Sequence, residues 1–298
     1  MECFEQVIAR DPSFAPAYVA LADSYASIGM NYLSYQDTVA KFDEVIRGAL
    51  AAGNESADIH LLLAQKALFR DWDFAAVETE LVRALDLKPS STMGHFLYGQ
   101  LLVMTGRPQK ASDEMQRAIE LDPLSHFVNC NAGFLFNAAG QPQRAFEQAR
   151  GTRAKFGTAC AYEPLAMAEA RTAQGRYEEA VALLSKALET AREADLPRLL
   201  SGLGYTHGKA GRRAEAEAVL GRLDKLTAST HVDPYVYAPI YAALGSLDRA
   251  FAQLELAYGA HSAMVPWLEG DVRLAPLRDD PRFARLAERI GLPLPQGT

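Results

Sequence analysis

The chain has 298 residues, 49% hydrophobic and 22% charged, a balance with ample apolar material for a core. With 30 Lys and Arg against 37 Asp and Glu the net charge is −7, so the positive field that draws proteins to phosphate backbones is lacking and direct nucleic-acid contact is not expected. No run reaches the ~20 apolar residues that span a bilayer, and the start lacks the basic and apolar regions of a signal peptide, so no membrane partner is expected. Cys3, Cys130 and Cys160 are odd in number and widely spaced without a Cys-x-x-Cys, which speaks against a disulfide framework or a zinc site and fits a reducing cytoplasm.

Residues 2–12 read as the second helix of a repeat whose first helix is missing, stopped by Pro12. The expectation is that the chain begins inside a longer array or a longer protein. Phe14 to Gly29 reads as the next helix, with Tyr18, Leu21, Ala22 and Tyr25 on one face. An insertion, Met30 to Asp37, precedes its partner over about residues 38–51, and Gly53-Asn54 breaks the chain before the next unit. Asn54-Glu55-Ser56 has the form of a glycosylation sequon, a pattern short enough to arise by chance.

From there the chain repeats. Gly106/Ala111, Gly140/Ala145, Gly175/Ala180, Gly211/Ala216 and Gly245/Ala250 each place a small residue five positions after a glycine, and the alanines are 34, 35, 36 and 34 residues apart. That period is the length of a tetratricopeptide helix–turn–helix unit. Glycine supplies the left-handed cap that ends a first helix, and alanine lets two helices cross closely. Ala118, Ala187 and Ala257 keep the next turns small, and Pro89 and Pro123 end second helices. Residues 92–125 are the clearest copy, with Tyr98, Gly99 and Leu102 on the buried face of the first helix and Met115 and Ile119 on that of the second.

Residues 262–298 leave the pattern. Trp267, Leu274, Leu277, Phe283, Leu286 and Ile290 are apolar anchors, and Asp280-Pro281 opens a last short helix. They read as a cap over the last open face of the stack. The expected fold is therefore all-α, a right-handed α-α superhelix (a tetratricopeptide solenoid) of about seven helix pairs, with the array over 1–261 and the cap over 262–298.

Residues 68–76 (LFRDWDFAA), 83–89 (RALDLKP), 241–251 (YAALGSLDRAF), 277–283 (LRDDPRF) and 290–293 (IGLP) give the chain a resemblance to a bacterial family. In that family tetratricopeptide arrays form the C-terminal half of modular signalling proteins, behind winged-helix, adenylate-cyclase-like or serine/threonine-kinase domains. The resemblance covers nearly the whole chain. It implies a regulatory, protein-binding role, and no effector domain lies in these residues.

Chemistry finds little footing. Gly202 to Gly208 has the look of a phosphate loop but falls inside a repeat helix rather than after a strand. The histidines at 60, 95, 126, 207, 231 and 261 form no His-Glu-x-x-His or i, i+4 pair, so no metal or cofactor is expected. Asp71-Trp72-Asp73 reads as a helix cap with a packing aromatic. Lys209 stands almost alone, which argues against a lysine-lined grip on a peptide carboxylate. The expectation is a non-catalytic scaffold that binds a protein or peptide in a concave groove, with self-association or a small-molecule-sensing pocket among Phe127, Phe134 and Tyr162 as alternatives. Projecting the helical period assigns that groove Met93, Phe96, Gln100, Met104, Phe127, Cys130, Phe134, Asn137, Tyr162, Leu165, Glu169 and Tyr205. Polar substitution of Phe96 and Phe134 is expected to weaken partner capture without unfolding.

Overall fold

The computed structural model describes residues 1–31, 35–51, 55–157 and 162–293. The break at Gly53-Asn54, the sequon Asn54, Cys160 and part of the 30–37 insertion lie outside the described residues. Sixteen α-helices are described, and among the described residues there is no strand. They are α1 (Glu2–Arg10), α2 (Ala15–Asn31), α3 (Tyr35–Ala51), α4 (Ala57–Lys66), α5 (Phe74–Leu87), α6 (Thr92–Met104), α7 (Pro108–Leu121) and α8 (His126–Ala138). Then follow α9 (Pro142–Phe156), α10 (Tyr162–Ala173), α11 (Tyr177–Thr190), α12 (Leu196–Lys209), α13 (Arg213–Leu226), α14 (Ala238–Ala243), α15 (Leu247–Gly259) and α16 (Pro281–Arg289). The second helix of the first full unit starts at Tyr35, three residues before the expected position.

The helices pair as α2/α3, α4/α5, α6/α7, α8/α9, α10/α11, α12/α13 and α14/α15. Local chemistry starts and stops them. Ser56, Ser91 and Ser125 accept from the backbone N–H three residues on, capping α4, α6 and α8. Asp73 does the same for α5, accepting from Ala76 at 2.9 Å. The five repeat glycines take φ between +69° and +74°, a region that a Cβ disfavours.

The repeat alanines, Ala111, Ala145, Ala180, Ala216 and Ala250, are fully buried. They sit where the two helices of a pair cross. At the α6/α7 crossing, a Cβ added to Gly99 would stand 3.3 Å from the carbonyl oxygen of Ala111. Each pair then leans on the next. First helices touch one another directly, α2 with α4, and separately α6, α8, α10, α12 and α14 in series, whereas α3, α5, α7, α9 and α11 pack on their own partners and the first helix that follows. First helices that lie closer together than second helices put themselves on the inside of the curve.

The segment after α15 packs on α14 and α15, as an end cap should. It also does something the sequence did not suggest. It crosses the inside of the curve as a strap, meeting α12, α8, α6 and α10 in turn. Met264 Sδ accepts from Arg198 of α12 at 3.3 Å, and Arg273 reaches Glu169 of α10 at 3.3 Å. The Trp267 ring meets Phe134 of α8 edge-on at 5.1 Å. Gly270 lies so close to α6 that an added Cβ would be 2.4 Å from Val103. Where the strap leaves α15, His261 stacks flat on Trp72, ring centres 4.0 Å apart, beside the start of α5. Trp267, Leu274, Leu277, Phe283, Leu286 and Ile290 are all buried, in one apolar cluster with residues of α4 to α8.

Enlarging a crossing residue should force a pair apart. Ala111→Leu is expected to destabilise the chain by about 1–3 kcal/mol, read from the midpoint of urea unfolding.

Candidate functional site

The inner helices are apolar nearly all round. In α6 the sequence TMGHFLYGQLLVM carries no polar stripe, the pattern of a helix covered on every side. Its neighbours are α5, α7, α8 and the strap. Half of the expected groove residues are consequently interior. Phe96 and Met104 are buried in the core, so polar substitution of Phe96 cannot leave the fold intact as the sequence reading expected. Cys130 is buried against His126, and Leu165 is buried as well. Asn137 is buried and donates to the Ala166 carbonyl at 2.8 Å, tying α8 to α10. Glu169 is buried beneath the strap. Met93 and Tyr205 are half-buried, and burial raises the Tyr205 phenol above its ordinary range.

The rest border open space. Phe127 is 48% exposed, its ring edge-on to Phe96 at 5.1 Å. Tyr162 is half-buried and accepts a hydrogen bond from Arg198 Nη1 at 2.8 Å. Gln100 and Phe134 are half-buried. Two openings bring these residues together. A partly enclosed cavity of about 80 Å³ lies under the strap, with Gln100, Asn131, Phe134, Tyr162, Arg198 and Trp267 in its walls. A broader cleft of about 750 Å³ runs past α8 to α12, with Phe127, Tyr162, Arg153, Lys186 and Arg192 along it. Asn131, Tyr162, Leu165 and Arg198 belong to both.

Beneath the cavity is a buried ionic knot. Arg273 donates to Asp271 through Nε at 2.8 Å and Nη2 at 2.7 Å, and its Nη1 lies 3.3 Å from Glu169 Oε1. Tyr235 donates to Asp271 at 3.3 Å. All four side chains are at least nine-tenths buried. One guanidinium faces two carboxylates in a medium that penalises charge. Burial pushes the Glu169 carboxyl up to about 7, the nearby Arg273 charge pulling it back only in part. The two carboxylates hold the Arg273 guanidinium protonated despite its burial.

Arg198, Arg273, Trp267 and the strap itself went unrecognised as parts of this region in the sequence. The strap has no repeat period that would register it against the helices it crosses. The one available signal was its density of Trp, Leu and Phe anchors, too many for a single end face.

Among solved structures the fold recurs in tetratricopeptide solenoids. A tetratricopeptide repeat protein from Parabacteroides merdae ATCC 43184 is 13% identical with a TM-score of 0.56, over 92% of this chain and 98% of that one. The Cut9–Hcn1 hetero-tetramer of the APC/C is 14% identical with a TM-score of 0.62, over 96% of this chain but only 51% of that one. PilW, a type IV pilus biogenesis factor, is 18% identical with a TM-score of 0.51, over 70% of this chain and 94% of that one. At such identities the likeness is one of fold: the chain is a tetratricopeptide-type α-α superhelix. No family model matches the sequence, and no curated protein matches it. No helix among the described residues is long and apolar enough to cross a membrane.

Two outcomes follow. Phe96→Ala should lower the unfolding free energy by about 3–5 kcal/mol in chemical denaturation. Glu169 binds its proton more tightly folded than unfolded, so its ionisation costs stability. The wild type should lose up to about 1.4 kcal/mol per pH unit as pH rises from the ordinary carboxylate range towards about 7, and then level off. Glu169→Gln should lack that slope in urea melts taken between about pH 5 and about pH 8.

Proposed function

We propose that the chain is a non-catalytic protein-interaction scaffold that holds an extended segment of a partner protein in the open cleft along α8, α10 and α12. The observation that carries this reading is Phe127. It is a large aromatic, 48% exposed, standing at the edge of a cleft of about 750 Å³. Exposed aromatics in concave sites are the residues that most often anchor partners. Tyr162 offers a second ring, and Arg153, Lys186 and Arg192 beside Glu189 give the walls charges of both signs for backbone and side-chain contacts. The solenoid fold supplies the surface with no chemistry of its own. With the resemblance of residues 68–89 and 241–293 to bacterial modular regulators, the reading extends to the regulatory part of a cytoplasmic signalling or transcription regulator.

The cleft, rather than the whole inner face, is the part of the expected groove that a peptide can reach. The strap occupies the face of α6 and α8 that a ligand would otherwise cover.

Peptides selected from a random display library against the wild-type chain test this. Phe127→Asp should weaken the enriched peptides at least about tenfold, the scale of one aromatic anchor, with an unchanged circular-dichroism melt. Leu256→Asp, at an exposed position on α15, should bind them as the wild type does. Peptides that bind the Phe127→Asp chain undiminished would refute the cleft.

A further inference from the structure

We infer that the cavity beneath the strap is a specificity pocket of the neighbouring cleft, taking one short aliphatic side chain, of about valine size, from the partner segment held there. The inference rests on the reading of that cleft as a peptide site. The two spaces adjoin. Asn131, Tyr162, Leu165 and Arg198 stand in the walls of both, so a chain lying along the cleft passes the edge of the cavity.

The cavity persists because its walls are tied to one another. Ser201 of α12 donates to the Val236 carbonyl, in the segment before α14, at 2.6 Å. Ser262, where the strap begins, donates to Asp233 of that same segment at 2.6 Å. Arg198 joins α12 to Tyr162 of α10 at 2.8 Å and to Met264 of the strap at 3.3 Å. Trp267 completes the circuit on Phe134 of α8. Collapse of the walls onto the space would break several of these contacts at once. A void braced in this way is preorganised, and a guest fills it without first reshaping it.

Size and chemistry choose the guest. About 80 Å³ holds about three water molecules at ~30 Å³ each. That is room for about three or four non-hydrogen atoms, which suits the side chain of valine and not that of phenylalanine or tryptophan. Phe134, Leu165, Val236, Met264 and Trp267 make the walls mainly apolar. The charged and polar groups among them have partners within the fold. Arg273 is held by Asp271 and Glu169, Asp233 accepts from Ser262 and the Tyr235 N–H, and Asn131 donates to the Phe127 carbonyl. Gln100 adds a neutral amide, which does not compensate a buried charge. An aliphatic guest therefore gains apolar contact, whereas a charged one would give up water for groups already engaged.

Peptides enriched from a random display library on the wild-type chain supply the probe. Their aligned sequences should hold one position to valine and its close aliphatic neighbours, with aromatic and charged residues absent there. In synthetic copies, exchanging that valine for alanine should weaken binding about tenfold, the scale of two buried methyl groups. Exchanging it for phenylalanine should weaken binding at least as much. Ala194 is half-buried and lines the cavity but not the cleft. Ala194→Leu, which fills the space, should lower affinity for the valine peptide about tenfold and bind the alanine peptide as the wild type does. Ala194→Ser should bind both peptides as the wild type does, and both variants should keep the wild-type circular-dichroism melt. An enriched pool with no position so restricted would overturn the pocket. So would equal affinity for the valine and phenylalanine peptides, or undiminished binding of the valine peptide by Ala194→Leu. Failure of the cleft itself reads differently, as binding undiminished by Phe127→Asp, and it removes the pocket as well.

Discussion

Everything in this molecule depends on how closely two helices of a pair can cross. Five alanines, one per repeat from Ala111 to Ala250, are fully buried at those crossings, and a side chain larger than a methyl group would hold the axes apart. Close crossings keep each pair thin, and thin pairs let successive first helices touch. That contact between first helices, absent to the same extent between second helices, generates the curve. The left-handed glycines after the first helices contribute the other half, returning the chain in the same direction at every step.

The curve creates an inner face, and the chain fills most of it with its own residues. The strap is anchored by apolar side chains and by an ion cluster that is costly to bury and therefore demanding in geometry. Arg273 has to find Asp271 and Glu169 together. A strap shifted by one residue would leave a charge unpartnered inside the protein, a penalty larger than that of most packing errors. The ionic knot is thus a register device: the apolar anchors supply attraction, and the charges specify where the strap lies.

Filling the inner face redistributes what the solenoid can offer to partners. Side chains that would line an open groove become core on α6 and much of α8, and the open space beside α8, α10 and α12 is divided into two parts that share Asn131, Tyr162, Leu165 and Arg198. The Arg198–Tyr162 hydrogen bond stands at their common border. The wide cleft has the dimensions for a chain segment, and the cavity only those for one short side chain. Helices α8, α10 and α12 supply walls to both, and the strap with the segment before α14 closes the cavity.

The sequence by itself determined the helix pairs, their order and their turns. Those features are written in short-range signals: a glycine five residues before an alanine, a serine or aspartate three residues before the N–H it caps, a proline just past a helix end. Each acts within a turn or two of helix, so each is legible without knowing the rest of the fold. Trp72 and Asp73 were readable on the same grounds, one as packing and one as a cap. The site was legible only in outline. Helical periodicity shows which positions face inward from a helix, but it cannot distinguish a face turned to solvent from one covered by a distant part of the chain. Phe96 and Phe127 look alike in sequence; one is core and the other exposed, because the strap and neighbouring helices cover the first alone. Tertiary structure decided that, and it decided the pairing of Arg273 with Glu169 and of Trp267 with Phe134. These contacts join segments far apart in the chain with no shared repeat to register them, so only the curvature of the completed array brings them together.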